Sequence, residues 1–511
     1  MKFIIPKEIL KVAQTLENAG FEAYFVGGCV RDLFRDKKPK DWDVATNATP
    51  KEILEIFEHS HYDNDYGTVR VVNESVKDKT LEVIEVTTYR LEADYSDGRR
   101  PDNVEFSKKI EDDLERRDFT INALALRILE VNHETNKDIS IDFSRETSEK
   151  VEKYKLIDLY GGIEDINNKT IRTVGKPEDR FNEDALRILR AIRLSAELHF
   201  DIEEKTKKAI EKSAKKLENI ATERIRDEFQ KIVMSDQPKH GLNMMRNLGV
   251  LEYVVPELIK TIGVEQNKNH SYELWDHLLE ALQKSADENW SLEIRLSALF
   301  HDISKVETRR WAKEKNDWTF YGHEVVGSRV TQKVLERLKF PKKVIEKVVI
   351  LVRWHMFFSD TETITLSAVR RMIRNVGREN IWDLMNVRVT DRIGMGRPKE
   401  KPYRLRKYHA MIEEALMDPI DVTMLKIDGN DIMEVNHETP GPKIGYTLHA
   451  LLEEVLEDPK KNTKTFLVKR AKELLKLSVE ELKELGIHGK EKKEEEGKKA
   501  IKDIRKKHWV K

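Results

Sequence analysis

Phe25-Val26-Gly27-Gly28-Cys29-Val30-Arg31-Asp32, followed shortly by Asp41-Trp42-Asp43, is the stretch on which the reading of the fold turns. Tyr24-Phe25-Val26 is an apolar run that reads as a core strand. Gly27-Gly28 lets the backbone turn tightly and present bare N–H groups where a helix begins. Such a corner binds phosphate, and Arg31 on the first turn of that helix brings a planar fork of donors to the same anion. Asp41 and Asp43 are two apart, so on a strand they project from one face and can share a hard cation. A third acid comes from the β-branched run Leu81-Glu82-Val83-Ile84-Glu85-Val86-Thr87, where Glu85 is favoured over Glu82 because the polar Thr87 shares its face. A glycine pair or an Asp-x-Asp alone is more often a plain turn. In succession they point to phosphate and metal chemistry.

A second pattern lies at Asp184, Arg187, Arg190 and Arg193, which recur every third residue on an apolar-backed helix. The row spirals slowly, so the reading makes Asp184 and Arg187 neighbours while Arg193 points elsewhere. A carboxylate accepts from an exocyclic amine and a guanidinium donates to a ring nitrogen, which matches the edges of cytosine and adenine and not those of guanine and uracil. Standing alone, the pattern is also what a surface salt bridge would leave.

The chain has 511 residues, room for three or four domains. Its 92 Lys plus Arg against 93 Asp plus Glu give a net charge of −1, so contact with nucleic acid has to come from local patches. Lys205 to Lys216 is one lysine-rich candidate. A single cysteine, Cys29, excludes an intramolecular disulfide framework and a cysteine-rich zinc site. No secretory signal or apolar run of spanning length is visible, which points to the cytoplasm. Strand-like runs are confined to the first 145 residues or so, with helical periodicity thereafter. The fold class expected is therefore an α/β head on an all-α body.

Further along, His277, His301-Asp302, His323, His355 and Asp391 stand in sequence. His301-Asp302 follows the apolar Leu296-Ser297-Ala298-Leu299-Phe300, where an imidazole and a carboxylate are costly to bury unless they pair or bind metal. His277, His301, Asp302 and Asp391 form the minimal set, and His323 and His355 enlarge it to a second ion or a phosphate grip. Such donors suit a divalent transition ion, or Mg²⁺ through the carboxylates. Asp428-Gly429-Asn430-Asp431 lacks the ligand register of an EF-hand and is not read as a calcium loop.

Taken together, these residues resemble the class II tRNA nucleotidyltransferases and bacterial poly(A) polymerases of the DNA polymerase β superfamily. Glu111 to Ala123, with Arg116-Arg117-Asp118, resembles the family segment that recognises the ribose and supports the triphosphate. Asp158-Leu159-Tyr160-Gly161-Gly162 resembles its hinge, Glu183 to Arg187 its nucleotide-selecting motif, and Thr222 to Glu228 its helix-buttressing motif. The histidine-rich region resembles the HD phosphohydrolase domain, with Ser304 where glycine commonly follows His-Asp-Ile. Ile427 to Met433 and Pro440 to Gly445 resemble a C-terminal segment of the HD-containing members.

The resemblance implies a nucleotidyltransferase head over 1–145, a helical neck for nucleotide selection and RNA binding over 146–265, an HD domain over 266–400, a helical module over 401–488 and a charged tail over 489–511. Asn132 to Lys155 is a polar segment longer than the family usually shows between head and hinge, and it reads as a surface excursion. The implied activity is addition of CCA to the 3′ end of tRNA from CTP and ATP, with tRNA as partner, Mg²⁺ at Asp41 and Asp43, and Glu85 as third ligand or orienter. Gly27, Gly28 and Arg31 would cradle phosphates, Arg116, Arg117 and Asp118 would hold sugar and triphosphate, Asp184 and Arg187 would choose the base, and Arg190 and Arg193 would support them. Poly(A) polymerase is the alternative within the family. Gly67-Thr68 after the catalytic acids favours the tRNA enzymes, and the retained loop Asp94 to Pro101 favours full CCA addition over a CC-adding enzyme, with an A-adding enzyme left as an alternative. An HD hydrolase with a non-catalytic RNA-binding head is the alternative of another class.

Overall fold

The computed structural model describes residues 2–64, 67–73, 76, 78–93, 103–129, 139–142, 154–268, 270–357, 364–397, 399–416, 422, 425–436, 440–457 and 459–510. The loop 94–101 lies outside them, as does most of the excursion 132–155, whose described parts are strands: Ile139–Asp142 pairs with Lys2–Ile5, and Tyr154 and Lys155 join the sheet of the head.

A seven-stranded sheet organises the head. Its strands are β1 (Ala23–Val26), β2 (Asp43–Thr46), β3 (Ser60–Asn64), β4 (Thr68–Val72), β5 (Val83–Thr88), β6 (Ala125–Ile128) and β7 (Tyr154–Ile157), in spatial order β7-β6-β1-β2-β5-β4-β3. β2 and β5 run parallel, and the other neighbours are antiparallel. β1 is buried along its whole length, as its apolar sequence requires, whereas β5 alternates, with Ile84, Val86 and Thr88 inward and Glu85 and Thr87 on the opposite face. Strands are not confined to the first 145 residues. β7 completes the sheet by pairing with β6, and short strand pairs recur at Thr170–Ile171 with Asp201–Ile202 and at Arg310–Ala312 with Asp317–Thr319. Runs of two to four residues carry too little periodicity to be told from loops.

The described chain falls into two compact units, residues 1–353 with 390–396, and residues 354–389 with 397–511. In the first, helix α1 (Gly28–Phe34) opens directly from β1, and α2 (Ile110–Glu115) precedes the Arg116-Arg117-Asp118 segment. Helix α3 (Leu186–Leu198) packs against α4 (Thr222–Met234), with Ile188, Leu189, Ile192, Phe229 and Ile232 fully buried. The apolar face drives this burial and leaves the arginines of α3 toward polar partners.

The second unit has its own core, including Ile432, Leu451, Leu452, Leu467 and Leu482. Asp428 caps the helix Gly429–Asn436 by accepting from the backbone N–H groups of Asn430 and Asp431, which explains the acidic loop without calcium. The charged tail is helical. It continues a helix, Val479–Lys507, that starts from a Ser478/Glu481 capping box. Arg505 and Lys507 pair with Glu414 at 3.5 Å and Glu413 at 2.7 Å.

Candidate active site and buried metal cluster

Gly27 ends β1 at φ 75°, a conformation open to glycine at little cost. A Cβ there would lie 2.8 Å from Nη1 of Arg117 and 3.6 Å from a carboxylate oxygen of Asp43, so the absence of a side chain lets both groups close on the corner. Arg31 donates to the Asn122 side-chain oxygen at 2.8 Å and to Asp32 at 3.0 Å. The corner, Asp43 and the Arg116-Arg117-Asp118 segment thus meet in one place.

Asp43 opens β2, and the parallel register pairs it with Glu85 on β5. Side-by-side residues of a parallel ladder project from the same face, so these two carboxylates are neighbours. Glu82 stands off the strand, at the end of a short 3₁₀ turn. Burial, reinforced by Glu85 and Asp41 against the lowering pull of Arg117, pushes the Asp43 carboxyl up to about 6. Asp41 does not lie on the strand. It sits in the exposed bend before it, because ladder pairing begins only at Asp43 and the anchoring residue is the buried Trp42, whose ring meets Phe25 edge-on at 5.8 Å. Glu85 also faces Arg70 at 3.6 Å. Among the described residues the head acids are not drawn together as tightly as the histidine cluster below, whose ligand atoms all lie within 4.8 Å of one another.

Behind the corner, the fully buried Asp113 grips two arginines at once. One oxygen accepts from Arg116 at 2.6 Å and the other from Arg117 at 2.9 Å. Burial raises the carboxyl, and the two guanidinium charges outweigh it and hold it below its ordinary range. Asp118 is treated the same way by Arg190, whose guanidinium donates at 2.7 Å, and its other oxygen accepts from the Phe119 N–H and from Asn122.

The expected Asp184/Arg187 pair on one helix face is not found. Asp184 is extended, at φ −147°, between the helix Pro177–Glu183 and α3, and its carboxylate accepts from both Arg224 nitrogens at 2.7 and 3.3 Å. Arg187 reaches back to Glu183 at 2.6 Å and donates to the Arg116 carbonyl at 3.1 Å. A break in the helix before Leu186, with Asp184 accepting from its N–H, overrides the simple three-residue spacing. Arg193 turns away, to the buried Glu228 of α4 at 2.8 Å.

The histidine region forms a buried polar cluster. His277, on α5 (Leu274–Asp287), and His301, just after α6 (Leu292–Phe300), place their Nε2 atoms 2.9 Å apart. Asp302 lies 2.9 Å from the first and 3.2 Å from the second, with Asp391 at 3.7 and 3.6 Å. His301 Nδ1 donates to the Ala298 carbonyl at 2.9 Å, which turns Nε2 toward the carboxylates as a metal ligand requires. Burial works against charging His301, yet Asp302 and Asp391 push it up to about 10, while burial takes His277 down. His323, which opens α7 (His323–Arg337), stands 3.0 Å from Asp302 and donates Nδ1 to the Phe320 carbonyl. His355 belongs to the second unit. Ser304 has φ −91°, so the position does not need glycine.

Comparison with known proteins follows the same division. Residues 23–172 match the poly A polymerase head domain, 199–261 the probable RNA and SrmB-binding site of polymerase A, and 269–396 the HD domain. A CCA-adding enzyme of Ligilactobacillus salivarius is 32% identical over 479 residues, which cover 93% of this chain and 98% of that protein. The chain belongs to the CCA-adding enzyme family. The match to the Lactobacillus helveticus CCA-adding enzyme, 44% identical, spans 48% of this chain and about half, 54%, of that relative. A solved Bacillus stearothermophilus CCA-adding enzyme in complex with CTP superposes with a TM-score of 0.57 at 25% identity, over 91% of this chain and 96% of that one.

Several members of the site in this CCA-adding family chain escape a motif reading. Asp113, Glu183, Arg224 and Glu228 are charged residues inside quoted segments; burial separates Asp113 and Glu228 from surface charge, and their ion pairs with Arg187 and Asp184 separate the half-buried Glu183 and Arg224. Lys305 in the HD region is likewise buried, 2.6 Å from Asp302 and 3.2 Å from His270, whose imidazole burial and the lysine charge push down to about 3. Its position three residues after Asp302 was the available signal.

Proposed function

We propose that this protein adds CCA to the 3′ end of tRNA, taking CTP and ATP and releasing pyrophosphate. The observation that carries the reading is Asp43 set beside Glu85 at the Gly27/Arg117 corner, in a chain whose full-length relatives are CCA-adding enzymes. A carboxyl pushed up by burial and by two acids beside it is one a hard cation relieves, so Asp41 and Asp43 are assigned Mg²⁺, with Glu85 as third ligand or orienter. Bound magnesium would lower the pKa of the RNA 3′-hydroxyl and neutralise the departing pyrophosphate.

The chain's own groups do the rest. Gly27, Gly28 and Arg31 hold phosphates. Arg116 and Arg117, clamped by Asp113, present fixed guanidinium groups to triphosphate and sugar, and Asp118 is kept ionised by Arg190. Asp184 and Arg187 choose the base, so the Arg224 contact on Asp184 has to share or yield when a nucleotide enters. The neck RNA surface includes the lysines of 205–216.

The HD cluster is assigned a divalent ion, a transition metal or Mg²⁺, held by His277, His301, Asp302 and Asp391, with phosphoester hydrolysis at damaged RNA ends as its chemistry. A cytoplasmic setting suits a tRNA enzyme. No described helix is long and apolar enough to cross a membrane. Purified protein with Mg²⁺ and tRNA lacking its tail, offered CTP and ATP singly and together, tests the reading. CTP alone should extend by cytidines, both together should complete CCA, and GTP or UTP incorporation at equal rates would refute it.

A further inference from the structure

Between Asp302 and His323 the chain leaves the buried cluster and returns through a hairpin, Arg310–Ala312 paired with Asp317–Thr319. Both ends are tied to the cluster. Lys305 contacts Asp302 at 2.6 Å and sits 5.4 Å from the Phe320 ring centre, and the Phe320 carbonyl accepts from His323. Trp311 and Trp318 are cross-strand partners with ring centres 5.0 Å apart, and the Arg309 guanidinium stacks 3.7 Å from the Trp318 ring centre. Those contacts explain how so short a hairpin holds together.

They do not explain why Trp311 remains 49% exposed and Tyr321, just beyond, 76% exposed. Lys315 Nζ lies 5.5 Å from the Tyr321 ring centre, and the rest of that ring and of Trp311 meets water as two neighbouring flat apolar surfaces. The surrounding charge indicates what covers them. Arg310 donates only to the carbonyls of Glu307 and Arg309, Lys315 donates to the Tyr321 hydroxyl at 2.8 Å, and among the described residues neither these nor Lys313 forms an ion pair. Of the hairpin acids, Asp317 already accepts from the backbone N–H groups of Lys268 and Trp318, and the exposed Glu314 stands between Lys313 and Lys315, which leaves the three cations in excess of the two acids.

We propose that this hairpin is a stacking platform for single-stranded RNA, with bases lying on Trp311 and Tyr321 and phosphates meeting Arg310, Lys313 and Lys315. Aromatic faces interleaved with unpaired cations are what a sequence-tolerant single-strand site requires, since every base has a π-face and every linkage a charge. A strand end bound there would be led along the hairpin to the Asp302/His323 cluster. This deepens the reading of the HD region as a site for RNA ends and rests on it.

The test is photo-crosslinking of the full chain to a short single-stranded RNA that carries 4-thiouridine and a 3′-phosphate, followed by peptide mapping. Cross-links are expected within the peptide spanning 310–321. Trp311→Ala and Tyr321→Ala should each lower that yield about tenfold, the equivalent of roughly 1.4 kcal/mol per stacked base, whereas Trp311→Phe and Tyr321→Phe retain it. Cross-links confined to other peptides, or undiminished yield in alanine variants with wild-type melting curves, would overturn the platform and leave a protein-facing surface as its explanation. CTP and ATP addition to tRNA, assayed on the same preparation, separates the outcomes: addition without hairpin cross-links sinks only this inference, and failed addition sinks the proposed function.

Discussion

Asp43 and Glu85 are register partners on two parallel strands, and burial together with the proximity of their carboxylates lifts Asp43 to about 6. A carboxyl raised in the folded state favours folding while it is protonated and costs stability once it must ionise. The unfolded value is 3.8, so metal-free protein should lose stability as pH rises from about 4 to about 6, by at most about 3 kcal/mol for a shift of this size. Asp43→Asn should remove that decline, as should Mg²⁺ in the wild type. Urea titrations across this pH range, with and without Mg²⁺, provide the check. A wild-type profile that matches the variant's would mean that Asp43 has no raised carboxyl.

Asp113 is buried with two arginines on it. Asp113→Ala leaves two guanidinium groups facing each other and should destabilise the fold by about 3–5 kcal/mol, the range for breaking a buried pair from one side. Asp113→Asn keeps the volume and one acceptor and should fold better while raising the KM for nucleoside triphosphates more than it lowers kcat. Steady-state kinetics beside thermal melts would reveal either pattern, and an unchanged KM in a folded Asn variant would remove Asp113 from the positioning of Arg116 and Arg117.

Asp184 is held by Arg224 from the neighbouring helix, so the two residues should act as one unit in base choice. Asp184→Ala and Arg224→Ala are each expected to relax discrimination between CTP and UTP, and the double variant should be little worse than either single one. A double-mutant cycle on kcat/KM ratios should show about 1–2 kcal/mol of coupling. Additive effects would mean that the contact is incidental.

In the histidine cluster, two imidazole nitrogens and two carboxylates converge with almost no solvent access. A divalent ion that binds only the folded form stabilises it by about 2.7 kcal/mol at a hundred times its Kd. With the head acids already saturated by Mg²⁺, adding Mn²⁺, Co²⁺ or Ni²⁺ should therefore raise the melting temperature of the wild type more than that of His301→Ala. Equal shifts in both would place the ion elsewhere.

What the sequence disclosed and what it hid divide along physical lines. The glycine corner, the two strands bearing Asp43 and Glu85, and the His301-Asp302 pair were legible because each needs a local conformation or a burial that few residue types tolerate. Asp184 was misplaced because helical spacing does not register a break, and its carboxylate is held by a tertiary partner forty residues away, Arg224. Arg505 and Lys507 have their partners, Glu414 and Glu413, 91 and 94 positions earlier in the sequence, beyond any local pattern. Burial of Asp113 and Lys305 likewise depends on the assembled core, which no local window contains.

The most direct measurement is nucleotide incorporation into tRNA lacking its tail by the wild type and by Asp43→Ala and Asp41→Ala, at saturating Mg²⁺ and with folding verified. The wild type should build CCA from CTP and ATP, and both variants should lose incorporation. Normal incorporation by either variant would contradict the central claim that these two acids hold the metal at which an RNA end is extended.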